Sequence, residues 1–172
     1  MSILTKLFGR KQDDRAVARP LWHRTVEIAR EKEWYKSCGV ADSVAGRFDM
    51  ITLILSIVLI RMERDAELVE PSVRLTELFV EDMDGQLRES GVGDVIVGKR
   101  VGQLISVLGG RLGAYREALA ARDEAMMAEA ISRNVTLHDG TDPLLLTRRV
   151  RAFAAGLDLV PAFRVLDAEI GK

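Results

Sequence analysis

The segment GDVIVGKR, residues 93–100, comes closer to a catalytic motif than any other part of the sequence. A phosphate-binding P-loop reads G-x-x-x-x-G-K-[ST], follows a buried strand, and uses its final hydroxyl to bind magnesium. Here Arg100 stands in place of the hydroxyl, and a helical pattern precedes the segment. We therefore interpret it as a loop that leads into a helix, with Asp94 as a helix cap, and predict no nucleotide binding.

Histidine, cysteine and acidic residues are not spaced for catalysis or for binding a metal. His23 and His138 are the only histidines, they lie far apart in the sequence, and neither has a cysteine at ligand spacing. A carboxylate-bridged metal site in a helical bundle would use Glu-x-x-His pairs, which the sequence lacks. We predict no catalytic residue and no metal site, and the protein is expected not to be an enzyme.

The charged residues of the helix predicted over residues 71–90 are the remaining candidates for chemistry. Four of them share one face, and they are Glu77, Glu81, Asp84 and Arg88. Charges one turn apart are typical of a face in water, where they form weak ion pairs. Asp82 instead falls between Leu75 and Leu78 in the apolar arc. A buried carboxylate must be paired or hydrogen-bonded, so Asp82 is expected either to join a buried network or to face a partner.

The run GRFDMITLILSIVLIRM, residues 46–62, is the element around which the fold must be built. Its few polar side chains stack as one narrow stripe on a helix, and the rest of its surface is apolar. A helix of that kind is normally buried. The run is shorter than a membrane span needs and has charges at both ends. We predict a central helix over about residues 46–64, capped by Asp42 or Ser43.

The rest of the chain also has a helical pattern, and no segment alternates between apolar and polar residues with a period of two. Helices are predicted over residues 20–36, 71–90, 97–121 and 123–134, and two more begin at Pro143 and Pro161. Proline suits the first turn of a helix because its missing N–H has no partner there in any case. The predicted fold class is all-α, a single-domain helical bundle.

Small residues line one side of the helix predicted over residues 97–121. They are Gly98, Gly102, Ser106, Gly109, Gly110 and Gly113. An interior glycine costs a helix about 1 kcal/mol relative to alanine, so this many on one side indicate that something approaches closely. Another helix of the same chain is the favoured neighbour, and a helix of a membrane-protein partner is the alternative.

Composition is typical of a globular protein from a reducing compartment. A length of 172 residues with 48% hydrophobic residues fits one domain with a sizeable core. Cys38 is the only cysteine, so no disulfide forms within the chain, and no signal-peptide pattern is present. The expected location is the cytosol or the cytosolic face of a membrane.

Residues 1–19 are predicted to form a basic amphipathic arm beside a helical domain over residues 20–172. The arm places four apolar side chains beside three cations: Ile3, Leu4, Leu7 and Phe8 with Lys6, Arg10 and Lys11. A short apolar face with a few cations is attracted weakly to an anionic surface. We expect the cations to make weak contact with a membrane surface or the ribosome, without reading nucleic-acid sequence.

Three segments of the chain, in this order and spacing, resemble the ubiquinol–cytochrome c chaperone family, whose members assist assembly of the respiratory cytochrome bc1 complex. The segments are GRFD at residues 46–49 with the apolar run behind it, FVEDMD at residues 79–84, and GVGD at residues 91–94 leading into VGKRV. The similarity continues through residues 110–115 and covers about residues 34–121.

The resemblance implies a chaperone that binds newly made cytochrome b, needs no cofactor of its own, and is cytoplasmic or peripheral on the inner face of the energy-transducing membrane. In mitochondrial relatives a small second assembly protein completes the working unit. The partner-binding residues implied by the family motifs are Gly46, Arg47, Phe48, Asp49, Glu81, Asp82, Met83, Asp84, Arg88, Gly91, Gly93, Asp94, Lys99 and Arg100. The alternative function is that of an all-α scaffolding or regulatory module that binds a soluble protein.

Overall fold

The computed structural model describes residues 14–89, 97–121 and 123–171. Eight α-helices are defined within these ranges: α1 (Arg19–Ala29), α2 (Lys32–Lys36), α3 (Val44–Met62), α4 (Val69–Glu89), α5 (Val97–Ala120), α6 (Ala125–Asn134), α7 (Leu144–Asp158) and α8 (Ala162–Leu166). Short 3-10 turns precede α1 and α4. The described residues form no strand, only an isolated bridge between Val40 and Leu137, so the predicted all-α fold is confirmed.

Helix α3 is the centre of the fold, as predicted. It begins after Ser43, whose Oγ accepts a hydrogen bond from the amide of Gly46 at 3.1 Å, and all residues from 49 to 62 are buried. The hydroxyls of Thr52 and Ser56 donate to carbonyls one turn earlier, at 2.8 and 2.7 Å, so they are satisfied without leaving the helix. Helices α1, α5 and α7 pack around it. No helix in the described ranges is long and apolar enough to cross a membrane.

The helix predicted over residues 20–36 is divided into α1 and α2. The chain turns at Arg30 and Glu31, and this turn brings Trp34 into the core, where its indole N–H donates to the carbonyl of Ile28 at 2.6 Å. The sequence pattern did not indicate this break, because Arg30 and Glu31 are both good helix formers.

Two other helices begin close to their predicted positions. Helix α4 begins at Val69 and has Pro71 in its first turn, where backbone amides lack helical partners in any case. Helix α6 begins at Ala125, near the predicted residue 123. Before α7 the carboxylate of Asp142 accepts a hydrogen bond from the amide of Leu144 at 2.9 Å.

The part of the chain after residue 121, which carried no recognisable motif, completes the core. Arg151 on α7 donates to the carbonyls of Ala118 and Ala121, at 3.1 and 2.9 Å, and satisfies the end of α5. Arg61 on α3 is buried and donates to two carbonyls at the end of α7, at 3.2 and 2.7 Å. These two arginines fix α7 against α3 and α5.

The first described residues, Asp14–Ala18, form a 3-10 turn that packs against α4 and α1. Ala18 has no exposed surface, and Arg15 forms an ion pair of 2.8 Å with Glu81 on α4. The boundary between an arm over residues 1–19 and a domain over residues 20–172 stays a prediction. Residues 1–13, with the amphipathic segment, lie outside the described residues.

Candidate functional site

The GRFD motif lies in the first two turns of α3, and its first two residues shape the approach to that helix. A Cβ atom on Gly46 would lie 2.0 Å from the carbonyl oxygen of Ala41, so only glycine fits there. Arg47 is exposed and donates to the carboxylate of Asp42 at 2.7 Å. This hydrogen bond lowers the pKa of Asp42 and raises the pKa of Arg47.

Asp49, the last residue of the motif, joins three parts of the fold. Its Oδ1 accepts from Nη2 of Arg111 on α5 at 2.7 Å. Its Oδ2 accepts from both the amide and the hydroxyl of Thr136, at 2.9 and 2.7 Å. Only 6% of Asp49 is exposed, and a carboxylate so buried is stable only when it is paired and hydrogen-bonded. We call Asp49, Arg111 and Thr136 the Asp49 clasp.

Phe48 lies beside the clasp and connects it to α4 and α1. The guanidinium of Arg111 lies over the Phe48 ring, 5.5 Å from its centre, in the range of a cation–π contact. The ring centres of Phe48 and Phe79 are 6.3 Å apart, and those of Phe79 and Trp22 are 6.1 Å apart in an edge-to-face arrangement. The three rings and the Arg111 guanidinium together tie four helices at the level of the motif.

Tyr115 lies on α5 one turn beyond Arg111 and has no exposed surface. Its hydroxyl has no hydrogen-bond partner among the described residues. Burial raises the pKa of Tyr115; the charge of Arg111 opposes that shift and the charge of Asp49 adds to it. The phenol therefore stays protonated beside the clasp.

The acidic residues of α4 lie in three different environments. Glu81 is exposed, Met83 and Asp84 are buried, and Asp82 is half-buried. The predicted solvated face is therefore wrong at Asp84, because α4 is covered by α5 as well as by α1 and the turn at residues 14–18. Glu77 is exposed as predicted.

Asp82 lines an open polar cleft between α1 and α4, with a volume of about 550 Å³. His23, Arg30 and Gln86 line the same cleft. Asp82 makes no hydrogen bond or ion pair within the described ranges, so the expected buried network is not found there. Its alternative, a carboxylate that faces a partner, stays a prediction.

The other residues of the family motifs cannot be placed in the site. Gly91, Gly93 and Asp94 lie outside the described residues. The side chains of Arg88, Lys99 and Arg100 also lie outside the description. Contact between any motif residue and a partner stays a prediction.

An apolar groove between α4 and α5 was not found from the sequence. We call it the α4–α5 groove; its volume is about 530 Å³, and it is lined by Val73, Thr76, Val80, Val101 and Ile105 with Arg15, Glu77 and Glu81. Val73 and Ile105 are 51% and 52% exposed, so the groove is open to water. The spacing of two valines could have indicated this groove. Val73 and Val80 lie two turns apart on one side of α4, away from the main apolar stripe of that helix.

The small residues of α5 lie on the same open side of the molecule. Gly102, Gly109 and Gly110 are exposed, and a Cβ atom on any of them would meet nothing within 4 Å. No helix in the described ranges packs against these three glycines, so the neighbour expected from the sequence is not found there. Gly102, Ile105 and Gly109 follow one line on α5, at spacings of three and four residues, so the glycines continue the surface of the groove.

The described residues contain no group of three or more histidine, cysteine, aspartate or glutamate side chains that could hold a metal ion. Cys38 is buried. The candidate functional features of the described residues are the Asp49 clasp, the α4–α5 groove and the polar cleft at Asp82.

Comparison with known proteins supports the resemblance found in the sequence. The sequence model of the family described as Ubiquinol-cytochrome C chaperone matches residues 36–169, and so extends past residue 121. The crystal structure of the Cbp3 homolog from Brucella abortus is similar, with a TM-score of 0.81 and 29% sequence identity over 98% of this chain and 96% of that chain. The search of curated proteins finds no match.

Proposed function

The chain belongs to the ubiquinol–cytochrome C chaperone family, and we propose that it holds newly synthesised cytochrome b during assembly of the cytochrome bc1 complex. Cytochrome b is then its client, the unassembled protein that a chaperone protects. The proposed activity needs neither catalysis nor a cofactor. The proposed location is peripheral, at the inner face of the membrane.

The observation that carries this proposal is the open α4–α5 groove. Exposed valine and isoleucine side chains in one concave site contribute little to the core of the protein. Such sites usually bind a partner. The groove follows α4 for about two turns between Val73 and Val80, or about 10 Å. That length suits a short part of an apolar helix, and the exposed glycines on α5 would let a helix backbone come close.

The charges at the edge of the groove also suit a membrane-protein client. Glu77 and Glu81 are both exposed and line the groove beside the valines. Lysine and arginine are abundant next to membrane helices on the cytoplasmic side. A helix with its basic flank would therefore bury its apolar part in the groove and place its cations near these carboxylates.

The polar cleft at Asp82 suits a different kind of partner. It offers a carboxylate with no partner in the described ranges beside His23 and Arg30, with Trp22 in the wall. We propose it as the contact for a small second assembly protein, because an open polar surface that includes an arginine is typical of the rim of a protein–protein interface. The arm is proposed to add weak membrane or ribosome contact through its cations.

Replacement of Ile105 by glutamate tests the groove. Burying an isoleucine contributes about 1.5–3 kcal/mol, and about 1.4 kcal/mol corresponds to a tenfold change in affinity. We therefore expect Ile105→Glu to lower the amount of cytochrome b that co-purifies from detergent-solubilised membranes by about tenfold or more.

Leu145→Glu is the matched control, because Leu145 is 59% exposed on α7, outside the groove, compared with 52% for Ile105. This variant should retain cytochrome b, and both variants should keep the wild-type Tm. Equal capture by the two variants would reject the groove as the client site. Recovery of a soluble protein without any haem b protein would favour the scaffolding or regulatory alternative.

A further inference from the structure

The α4–α5 groove lies beside the point at which the described chain begins. Arg15 lines the groove and pairs with Glu81 on α4 at 2.8 Å. The turn Asp14–Ala18 packs against α4, and Ala18 at its end has no exposed surface. Residues 1–13 are therefore attached at the edge of the groove, close to its Glu81 end.

The length of this attached segment matches the groove. Residues 9–13 join Phe8 to the fixed turn and reach up to about 17 Å when extended. The groove follows α4 for about 10 Å between Val80 and Val73. Residues 3–8, if helical, cover about 9 Å. The linker is thus long enough to lay these six residues along the groove from one end to the other.

The chemistry of the two surfaces is complementary. The segment carries Ile3, Leu4, Leu7 and Phe8 with Lys6, Arg10 and Lys11. The groove presents apolar walls of valine and isoleucine with two carboxylates, Glu77 and Glu81, and one guanidinium, that of Arg15. Both carboxylates are exposed at the edge of the groove, where Glu77 pairs with Arg74 at 3.2 Å and Glu81 pairs with Arg15 at 2.8 Å. An apolar face bordered by cations therefore finds both an apolar wall and an acidic border within reach.

From the attachment, the length and the charges, we propose that residues 3–8 occupy the α4–α5 groove of their own chain when no client is bound. The segment protects exposed apolar surface in the free protein, and a client must displace it. Displacement rests on the proposed function, whereas docking of the segment does not. Displacement also frees the apolar face of the segment for a membrane surface, so one segment cannot serve both sites at once.

Disulfide trapping in the full chain tests this docking without any client or lipid. The variant carries Leu7→Cys and Ile105→Cys, together with Cys38→Ala to remove the native thiol. Under mild oxidation we expect a disulfide within one chain, identified by the linked tryptic peptides in the monomer fraction. The matched control pairs Leu7→Cys with Leu145→Cys on α7, outside the groove, and should form at least tenfold less of the cross-link.

Three results would overturn the proposal. The first is equal cross-linking of both pairs, which would mean untethered collision. The second is a cross-link found only between two chains, which would place a second copy in the groove. The third is no cross-link at either pair. A cross-link that is weakened by adding Leu4→Asp would support the proposal, because this change removes apolar contact without moving either thiol.

Capture of cytochrome b separates this proposal from the proposed function. If the cross-link forms in one chain but no variant captures cytochrome b, the docking stands and the client assignment fails. If capture depends on Ile105 but no cross-link forms, the client assignment stands and the docking fails. If both hold, Leu4→Asp should also increase client capture, since it removes the competing segment.

Discussion

Replacement of Asp49 by alanine should remove the contacts of the Asp49 clasp and destabilise the whole bundle. The change removes three hydrogen bonds, of 2.7, 2.9 and 2.7 Å, and leaves the guanidinium of Arg111 without its carboxylate. Removing one partner of a buried ion pair costs about 3–5 kcal/mol. A domain of this size loses about 2–4 °C of Tm for each kcal/mol, so we expect the Tm to fall by about 10 °C.

Thermal unfolding followed by circular dichroism at 222 nm measures this directly, and urea titration gives the free energy of unfolding. Asp42→Ala is the control, because Asp42 also pairs with an arginine of the same motif but is exposed, and exposed pairs contribute little. The double variant Asp49→Ala/Arg111→Leu should be more stable than Asp49→Ala alone, since it leaves no unpaired buried charge. A Tm of Asp49→Ala within about 1 °C of wild type would refute the structural role of the clasp.

Two further predictions concern α5. Gly109→Ala should raise the Tm of the purified chain by about 2–4 °C. The added methyl group meets nothing within 4 Å, and alanine favours a helix over glycine by about 1 kcal/mol. A fall in Tm would mean that another part of the protein packs against the glycine. Tyr115→Phe should leave stability at pH 7 almost unchanged, because the hydroxyl has no partner in the described ranges. Burial raises the pKa of Tyr115 above its usual 10.0, so only the unfolded phenol ionises as the pH rises above about 10. Wild type should therefore lose stability relative to Tyr115→Phe above that pH. Urea midpoints of the two proteins that stay parallel from pH 8 to pH 11 would contradict this.

The central helix was predictable because its burial is a property of one continuous stretch. Eleven apolar and small polar positions in a row, residues 50–60, exclude a solvent-facing side, whatever the neighbours are. The cap at Ser43 was equally local, since a hydroxyl three residues before an amide can satisfy it within the same turn. The family resemblance also came from sequence, through the order of three short motifs.

The clasp could not be predicted, because its partners are far apart in the sequence. Arg111 and Thr136 lie 62 and 87 residues from Asp49, and nothing in a helical pattern says which helices meet. The same reason explains why the burial of Asp84 and the exposure of the glycines of α5 were not expected. A helical projection shows which residues share a face, but only the packing of the bundle shows which face is covered.

Identification of what lies in the α4–α5 groove inside the cell tests the central claim most directly. A photoreactive amino acid at position 105, activated while cytochrome b is being made, labels whatever contacts that wall of the groove. The control places the same amino acid at position 145 on α7. We predict a covalent adduct with cytochrome b from position 105 and none from position 145. An adduct from position 105 that contains only another protein, or equal labelling of cytochrome b from both positions, would contradict the account.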